Sequence, residues 1–335
     1  MKPDIQKILD ELKSSTDNRT TVFDIQIIGI ENGSLALSGR LLDETQLTSL
    51  KDALVLRFPD LKLDTASIKI LNPNIFPPMH VATNLTGLYE KPTFGMPLSS
   101  ELTYGTPLEA LDENGGWVFT RQFDGYLGWA YRPYLAEGRA PEATHLLLAP
   151  SVKLRAEPNA DSAVMTRVVS GTRILAEETR GAWMRVAANK TGWIPSSCLR
   201  AVKDLPCSIE ERRAAIMEDS ARMTGVPYLW GGTSGNGIDC SGLARLIHQW
   251  IGIDIPRDAD MQHRAAKPVE PPFEIGDLFF FGEGDGDHHV THVGVSLGGW
   301  NMIHSSRRQN GVYLDNVQEI ESLREIYISA GSFLR

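Results

Sequence analysis

Only three cysteines, Cys198, Cys207 and Cys240, occur in 335 residues. The count is odd and no C-x-x-C pair is present, so neither a disulfide framework nor a common zinc pattern is available. An unpaired set of this kind suits a reducing compartment. No apolar run approaches the roughly 18 residues that a membrane-spanning helix needs, so membrane insertion is not expected. The N-terminus, MKPDIQKILDELKSS, alternates charge and hydrophobe and has neither an apolar h-region nor a small-residue cleavage site. These absences set the expectation of a cytoplasmic protein. Lys/Arg-rich blocks are also missing and the formal net charge is -9, which argues against nucleic acid or an anionic membrane surface as main partner. What remains is an ordinary folded composition, 42% hydrophobic and 22% charged, in a chain long enough for several separate cores.

The pattern changes character along the chain. Ile5, Ile8, Leu9 and Leu12 recur at helical spacing over residues 4–14. Two β-rich runs follow, Thr21 to Ile28 and Ser34 to Leu41, with the hairpin signal Asn32-Gly33 between them. A second helix is predicted over 43–57 and a third strand from Leu61 to Leu71. Residues 1–72 therefore read as a small α/β module, faintly similar to BON-type domains in ENGSLALSGRL, and its role is open. The Pro-rich joint from Asn72 to Pro78 marks a boundary. Short β runs then recur in two weakly similar units, 80–138 and 145–203, each with a Trp-bearing strand, a tight turn and a Gly-Trp pair. GWVFTRQFDGYLGWAYRPYL and AWMRVAANKTGWIPSSCL resemble bacterial SH3 domains, small β-barrels often attached to cell-wall enzymes.

The chemistry lies in residues 205–335. After a helix predicted from Ile209 to Thr224, a Gly-rich loop runs from Tyr228 to Cys240, where a second helix begins. Its Leu243, Leu246, Ile247, Trp250 and Ile251 form one apolar stripe, which places His248 on the exposed side. A cysteine in the first helical turn feels the positive end of the helix dipole, which favours thiolate over thiol. The plainer fate of a lone cysteine is a small buried hydrophobe. A thiolate also needs a base from distant sequence. Val290 to Val295 reads as a strand carrying His292, and Trp300 to Ser305 as its neighbour carrying His304. Antiparallel neighbours lie about 5 Å apart, so His304 is placed to hydrogen-bond His292 and fix its tautomer, the logic of a nucleophile, base and orienter. His288, His289 and His292 suggest zinc at first sight, but H-x-x-x-H works as a metal pair on a helix and this stretch is strand-like. His288 and His289 are read instead as loop residues. His80, His145, His248 and His263 receive no role.

YLWGG, DCSGL, GDLFFF, THVGV and MIHSS, in this order, resemble the NlpC-type family of cell-wall cysteine peptidases, and the likeness covers essentially all of 210–335. It implies a papain-like α+β catalytic domain over 205–335, and for the whole chain a multidomain α+β fold. It also implies Cys240 as nucleophile, His292 as base, His304 as third polar residue and Tyr228 at the border of the site. The Cys240 N–H would serve the oxyanion, with Tyr228 either a second donor or a rim aromatic. One subgroup carries bacterial SH3 domains ahead of the catalytic domain: γ-D-glutamyl-diamino-acid endopeptidases of the dipeptidyl-peptidase VI type. They act on murein tri- or tetrapeptides with a free N-terminal L-Ala in cell-wall recycling, without metal or cofactor. By that resemblance Asp239, Ser241, Arg257 and Asp258, with Glu101 and Tyr126 of the first SH3 unit, bind the amine end. Ala259 stands where serine is usual. Each has a plainer alternative: Asp239 as a helix cap, Arg257-Asp258 as a solvated pair, Glu101 as a surface carboxylate, Tyr126 as barrel packing. The rival functions are a hydrolase of intact wall with SH3 units as wall-binding modules, a non-enzymatic SH3-based adaptor, and another acyl transfer on the same fold.

Overall fold

In a computed structural model the described residues are 1–283 and 289–334. Residues 2–70 fold as α1 (Lys2–Ser14), β1 (Phe23–Glu31), β2 (Ser34–Leu41), α2 (Glu44–Arg57) and β3 (Lys62–Ile70). Asn32 and Gly33 both take positive φ, as a two-residue turn between twisted strands requires, and β1 pairs antiparallel with β2. The crossover through α2 returns β3 parallel to β2. Asp43 and Gln46 form a capping box that starts α2 where the chain leaves the sheet. Ile5 and Leu9 of α1 and Leu50 and Leu54 of α2 close over Leu35 and Leu37 of the sheet.

Two seven-stranded barrels follow. The first comprises β4 (Met79–Val81), β5 (Leu85–Tyr89), β6 (Leu98–Thr103), β7 (Pro107–Asn114), β8 (Trp117–Arg121), β9 (Leu127–Tyr131) and β10 (Leu135–Glu137). The second comprises β11 (His145–Leu147), β12 (Ser151–Arg155), β13 (Val164–Val169), β14 (Arg173–Arg180), β15 (Trp183–Ala187), β16 (Thr191–Pro195) and β17 (Leu199–Ala201). Their strand orders, β10-β4-β7-β8-β9-β5-β6 and β17-β11-β14-β15-β16-β12-β13, are the same topology twice. The weak internal repeat in the sequence is thus a repeat of architecture. Each barrel has its own apolar core, around Leu88, Val118 and Ala130 in the first and Leu154, Val186 and Ile194 in the second. Val22, Leu42 and Leu71 pack the N-terminal module onto Trp117 and Trp129 of the first barrel.

The remaining elements are α3 (Ile209–Asp219), β18 (Thr233–Ser234), β19 (Gly237–Ile238), α4 (Cys240–Trp250), α5 (Ala259–Ala265), β20 (Lys267–Val269), β21 (Leu278–Glu283), β22 (His289–Ser296), β23 (Asn301–Ser306), β24 (Gly311–Asn316), α6 (Glu321–Glu325) and β25 (Tyr327–Ser332). An antiparallel sheet, β20-β25-β21-β22-β23-β24, carries α4 on one face. The unbroken apolar run of β21 has a reason: Phe280 joins the core under α4, while Phe279 and Phe281 join a second core on the opposite face. His289 lies at the start of β22, exposed, rather than in a loop, and the reading of His288 falls outside the described residues. α4 departs from a one-sided stripe, with nine of its eleven residues buried. His248 is fully buried, not exposed, because the C-terminal part of the same domain covers that face, with the Phe333 ring edge-on to the imidazole at 5.9 Å. The second barrel meets the apolar stripe instead, where the Trp250 indole N–H donates to the Leu147 carbonyl at 3.2 Å and Gly171 approaches Leu246.

Candidate active site

The loop before α4 is shaped by close backbone approaches. Gly231 has a φ of +77°, and a Cβ there would run into the Leu98 carbonyl of the first barrel. A Cβ on Gly242 would meet the Gly232 carbonyl. The loop ends at Asp239, whose Oδ1 accepts the Gly242 N–H at 2.7 Å and caps α4. This sets Cys240 as the first residue of the helix, where its own N–H has no helical partner and faces forward.

Asp239 does more than cap. Its Oδ2 accepts the Gly231 N–H at 2.9 Å and Arg257 Nη2 at 2.7 Å, and its Oδ1 also accepts Ser241 Oγ and Arg257 Nη1. Five donors fill this carboxylate, so it has no lone pair left for a ligand ammonium; that corrects the expectation from resemblance. Arg257 is 1% exposed, not solvated, and its Nε donates to Ser100 Oγ of the first barrel at 3.0 Å. Ser241, also buried, accepts from Arg257 Nη1 at 3.0 Å. Asp239, Ser241 and Arg257 therefore form a buried network beneath the nucleophile loop.

The electrostatics of Cys240 reverse the expectation from the dipole. Backbone N–H groups of Val293 and Ser241 favour its anion, but burial, reinforced by the Asp239 carboxylate, pushes the thiol up to about 12. A helix end supplies only about half a charge, less than the cost of taking a thiolate out of water. Burial, and then His304, pull His292 down to about 3. Both shifts favour the uncharged forms, thiol and imidazole.

Three adjacent strands each place one polar group on one face of the sheet, the face that also carries Phe281 and Met302. Val295 of β22 pairs with Ile303 of β23, and Met302 pairs with Asp315 of β24, so His292, His304 and Asp315 are diagonal neighbours. His292 Nε2 lies 2.7 Å from His304 Nδ1, and His304 Nε2 lies 2.9 Å from Asp315 Oδ2. The Gln309 amide donates to both Asp315 oxygens. A carboxylate only accepts, so His304 carries its proton on Nε2 and its Nδ1 accepts the His292 Nε2–H. That leaves His292 Nδ1 with a lone pair, the atom required of a base. Asp315 was not legible in VYLDN, because only the strand register brings it to His304. Tyr228 is half-buried; burial, and then proximity to Cys240, raise its phenol, and Arg307 lies over its ring and that of Trp230.

Three further polar groups adjoin the network: Glu101 feels the charge of Arg257, Asp258 stands beside Arg257, and Tyr126 bonds Asp258. Glu101 of β6 accepts the Thr233 N–H at 2.9 Å and Ser234 Oγ at 2.8 Å through Oε2, and burial raises its carboxyl, offset in part by those bonds. Tyr126 is buried, not merely packing the barrel, and its hydroxyl donates to Asp258 Oδ2 at 3.1 Å. Asp258 Oδ1 accepts no hydrogen bond from the described residues; Arg257 Nη1 stands 3.8 Å from it. Arg19, which the sequence reading did not single out, also donates to Asp258 Oδ2, at 2.8 Å. Among the described residues no three His, Cys, Asp or Glu side chains converge on a metal-sized site.

A cysteine at a helix start and a histidine relay on the adjacent sheet are the parts of a thiol hydrolase, and comparison with known proteins gives the domain family. Residues 225–330 match the NlpC/P60 family and residues 150–200 match the bacterial SH3 domain. The chain carries an NlpC/P60 domain and is a cysteine peptidase. It is homologous to the γ-D-glutamyl-L-lysine dipeptidyl-peptidase of Bacillus cereus, 29% identical over 235 residues that span 64% of this chain and 69% of that one. The protein of the same name from Bacillus subtilis is 26% identical, spanning 66% of this chain and 77% of its own. Dipeptidyl-peptidase 6 of Lysinibacillus sphaericus is 25% identical over 71% of this chain and 91% of its own. A crystal structure of an NlpC/P60 family protein from Bacillus cereus shares the fold, with a TM-score of 0.67 and 23% identity over 77% of this chain and all of that one.

Proposed function

We propose that the chain hydrolyses the γ-D-glutamyl bond to a diamino acid in murein peptides that begin with a free L-Ala, as a cytoplasmic step in wall recycling. The observation that carries this reading is a set of acceptors around buried Arg257: Asp258 Oδ1 and the phenol oxygen of Tyr126 retain acceptor capacity, and the Glu101 carboxyl feels the same guanidinium. An ammonium has three donors and no acceptor, and such a set matches it while disfavouring a blocked amine. That the first barrel contributes Glu101 and Tyr126 supports a pocket-forming role for this unit over wall binding. Asp239 is left out of the contact set because its oxygens are filled.

In this reading the amine is held at the pocket and the γ-carbonyl of D-Glu lies against Cys240. His292 Nδ1 takes the thiol proton as sulfur attacks the carbonyl, and the Cys240 N–H receives the oxyanion. The proton then passes to the departing amine, the C–N bond breaks, and a thioester remains. Water, deprotonated by His292, releases the dipeptide and restores the thiol. Asp315 and His304 hold the tautomer throughout. The test is hydrolysis of L-Ala-γ-D-Glu-diaminopimelate and its N-acetyl form, with Cys240→Ala alongside. Release from the free peptide alone, absent in the variant, is expected. Equal cleavage of both forms removes the amine pocket, and cleavage by the Cys240→Ala enzyme removes the thiol mechanism.

A further inference from the structure

Arg19 sits between α1 and β1 of the N-terminal module, 239 positions before Asp258 in sequence, yet touches it. All five guanidinium N–H groups are bonded. Nε and Nη2 grip Asp17 at 2.9 and 2.6 Å, Nη1 and Nη2 grip Asp260 at 2.7 Å each, and Nη1 reaches Asp258 Oδ2 at 2.8 Å. The main chain is pinned as well, since the Leu127 N–H donates to the Arg19 carbonyl at 2.7 Å and the Arg19 N–H donates to Asp17 Oδ1 at 3.0 Å. Arg19 therefore straddles Tyr126, whose hydroxyl donates to the same Asp258 oxygen.

Asp258 occupies the residue before α5, where an aspartate ordinarily turns back to cap its own helix. Here it makes no capping bond. Arg19 and Tyr126 together occupy Oδ2 and hold the carboxylate away from the helix, leaving Oδ1 unbonded. We infer that Arg19 is a positioning residue for the amine subsite, which makes the N-terminal module part of the peptide-binding site. This rests on the amine reading of Asp258 given above. Without the guanidinium fork, Asp258 has two alternatives within reach: the N–H groups of α5, and Arg257, whose Nη1 is already 3.8 Å from Oδ1. Either withdraws the oxygen meant for the ligand. Arg19 does not cancel the pocket's charge, because it is shared among three carboxylates. Arg264 contributes a second cation, on Asp17 and Asp260, and Arg257 a third, shared between Asp239 and Asp258, so four carboxylates face three guanidiniums. Nor does Arg19 resemble a removable plug, since none of its donors is idle.

The experiment measures kcat and KM of the full chain on L-Ala-γ-D-Glu-diaminopimelate and its N-acetyl form for wild type, Arg19→Ala and Arg19→Lys. Lys69→Ala serves as the control for module docking, because Lys69 meets Asp112 on the first barrel and no group of the pocket. Arg19→Ala is expected to raise KM for the free peptide about tenfold, the scale of one charge-assisted hydrogen bond, with kcat within about twofold. Its preference for free over acetylated peptide falls by the same factor, Arg19→Lys recovers part of the loss, and Lys69→Ala behaves as wild type. An Arg19→Ala enzyme with wild-type KM and preference overturns the inference, as does one with improved kcat/KM, which would make Arg19 an occluding cation. A KM increase matched by Lys69→Ala assigns the effect to docking and also overturns it. Wild-type indifference to acetylation removes the amine reading itself, and the inference with it.

Discussion

Replacing Arg257 by Met tests the buried network under the nucleophile. The change removes two bonds to Asp239, one to Ser241 and one to Ser100, while the linear apolar side chain fills much of the same volume. The cost is therefore electrostatic, not a cavity. Breaking one side of a buried ion pair costs about 3–5 kcal/mol, because the other charge stays behind unpaired. Asp239 keeps three donors, from Gly231, Gly242 and Ser241, which places the expected loss near the low end, about 3 kcal/mol. That is a large share of the roughly 5–15 kcal/mol that holds a domain folded. Asp239→Asn alone should cost a similar amount, by stranding the guanidinium. The double variant removes both charges, so its cost should fall below the sum by about 2 kcal/mol or more. Amide hydrogen exchange of Leu243 to Trp250 in rising urea reads α4 itself rather than the barrels. Strictly additive losses, or an Arg257→Met loss below about 1 kcal/mol, would refute the claim that Asp239 depends on Arg257.

Three further outcomes are expected. Asp315→Asn presents an amide donor to His304, reverses its tautomer and takes the lone pair from His292 Nδ1; kcat should drop about 100-fold with little change in KM, and an unchanged kcat would remove Asp315 from the relay. His248 is pulled down to about 4 by burial, so as pH falls below the ordinary 6.5 the unfolded chain takes up the proton first. Its stabilising contribution is complete above that value and is lost on the way down, by about 2 kcal/mol at pH 5 relative to pH 7.5. His248→Leu should flatten that part of the urea-midpoint profile, and an identical slope in the variant would sink the assignment. Cys207 is exposed whereas the Cys240 thiol is buried and pushed up to about 12; iodoacetamide at neutral pH should label Cys207 well before Cys240 by peptide mapping, and the reverse order would mean a preformed thiolate.

Much of the catalytic unit could be read before any coordinates. The Gly-rich approach to Cys240, the helix it starts, the apolar β21 and the strands bearing His292 and His304 follow from turn chemistry and from periodicities of 3.6 and 2. So do the hairpin at Asn32-Gly33 and the repeated barrel pattern. These signals act between residues a few positions apart, which is why one chain suffices to reveal them. The rest depended on what packs on top. His248 is buried because Phe333, which follows the last strand of the domain, packs its ring edge-on against the imidazole. Asp239 is a filled acceptor because Arg257 folds onto it, and Cys240 is held as a thiol because burial outweighs the helix dipole. Asp315 enters through a strand register, and Arg19 through a contact between the first module and the last. Desolvation and ion pairing are set by neighbours in space, so tertiary structure alone decided which charges are spent within the protein and which remain for a ligand.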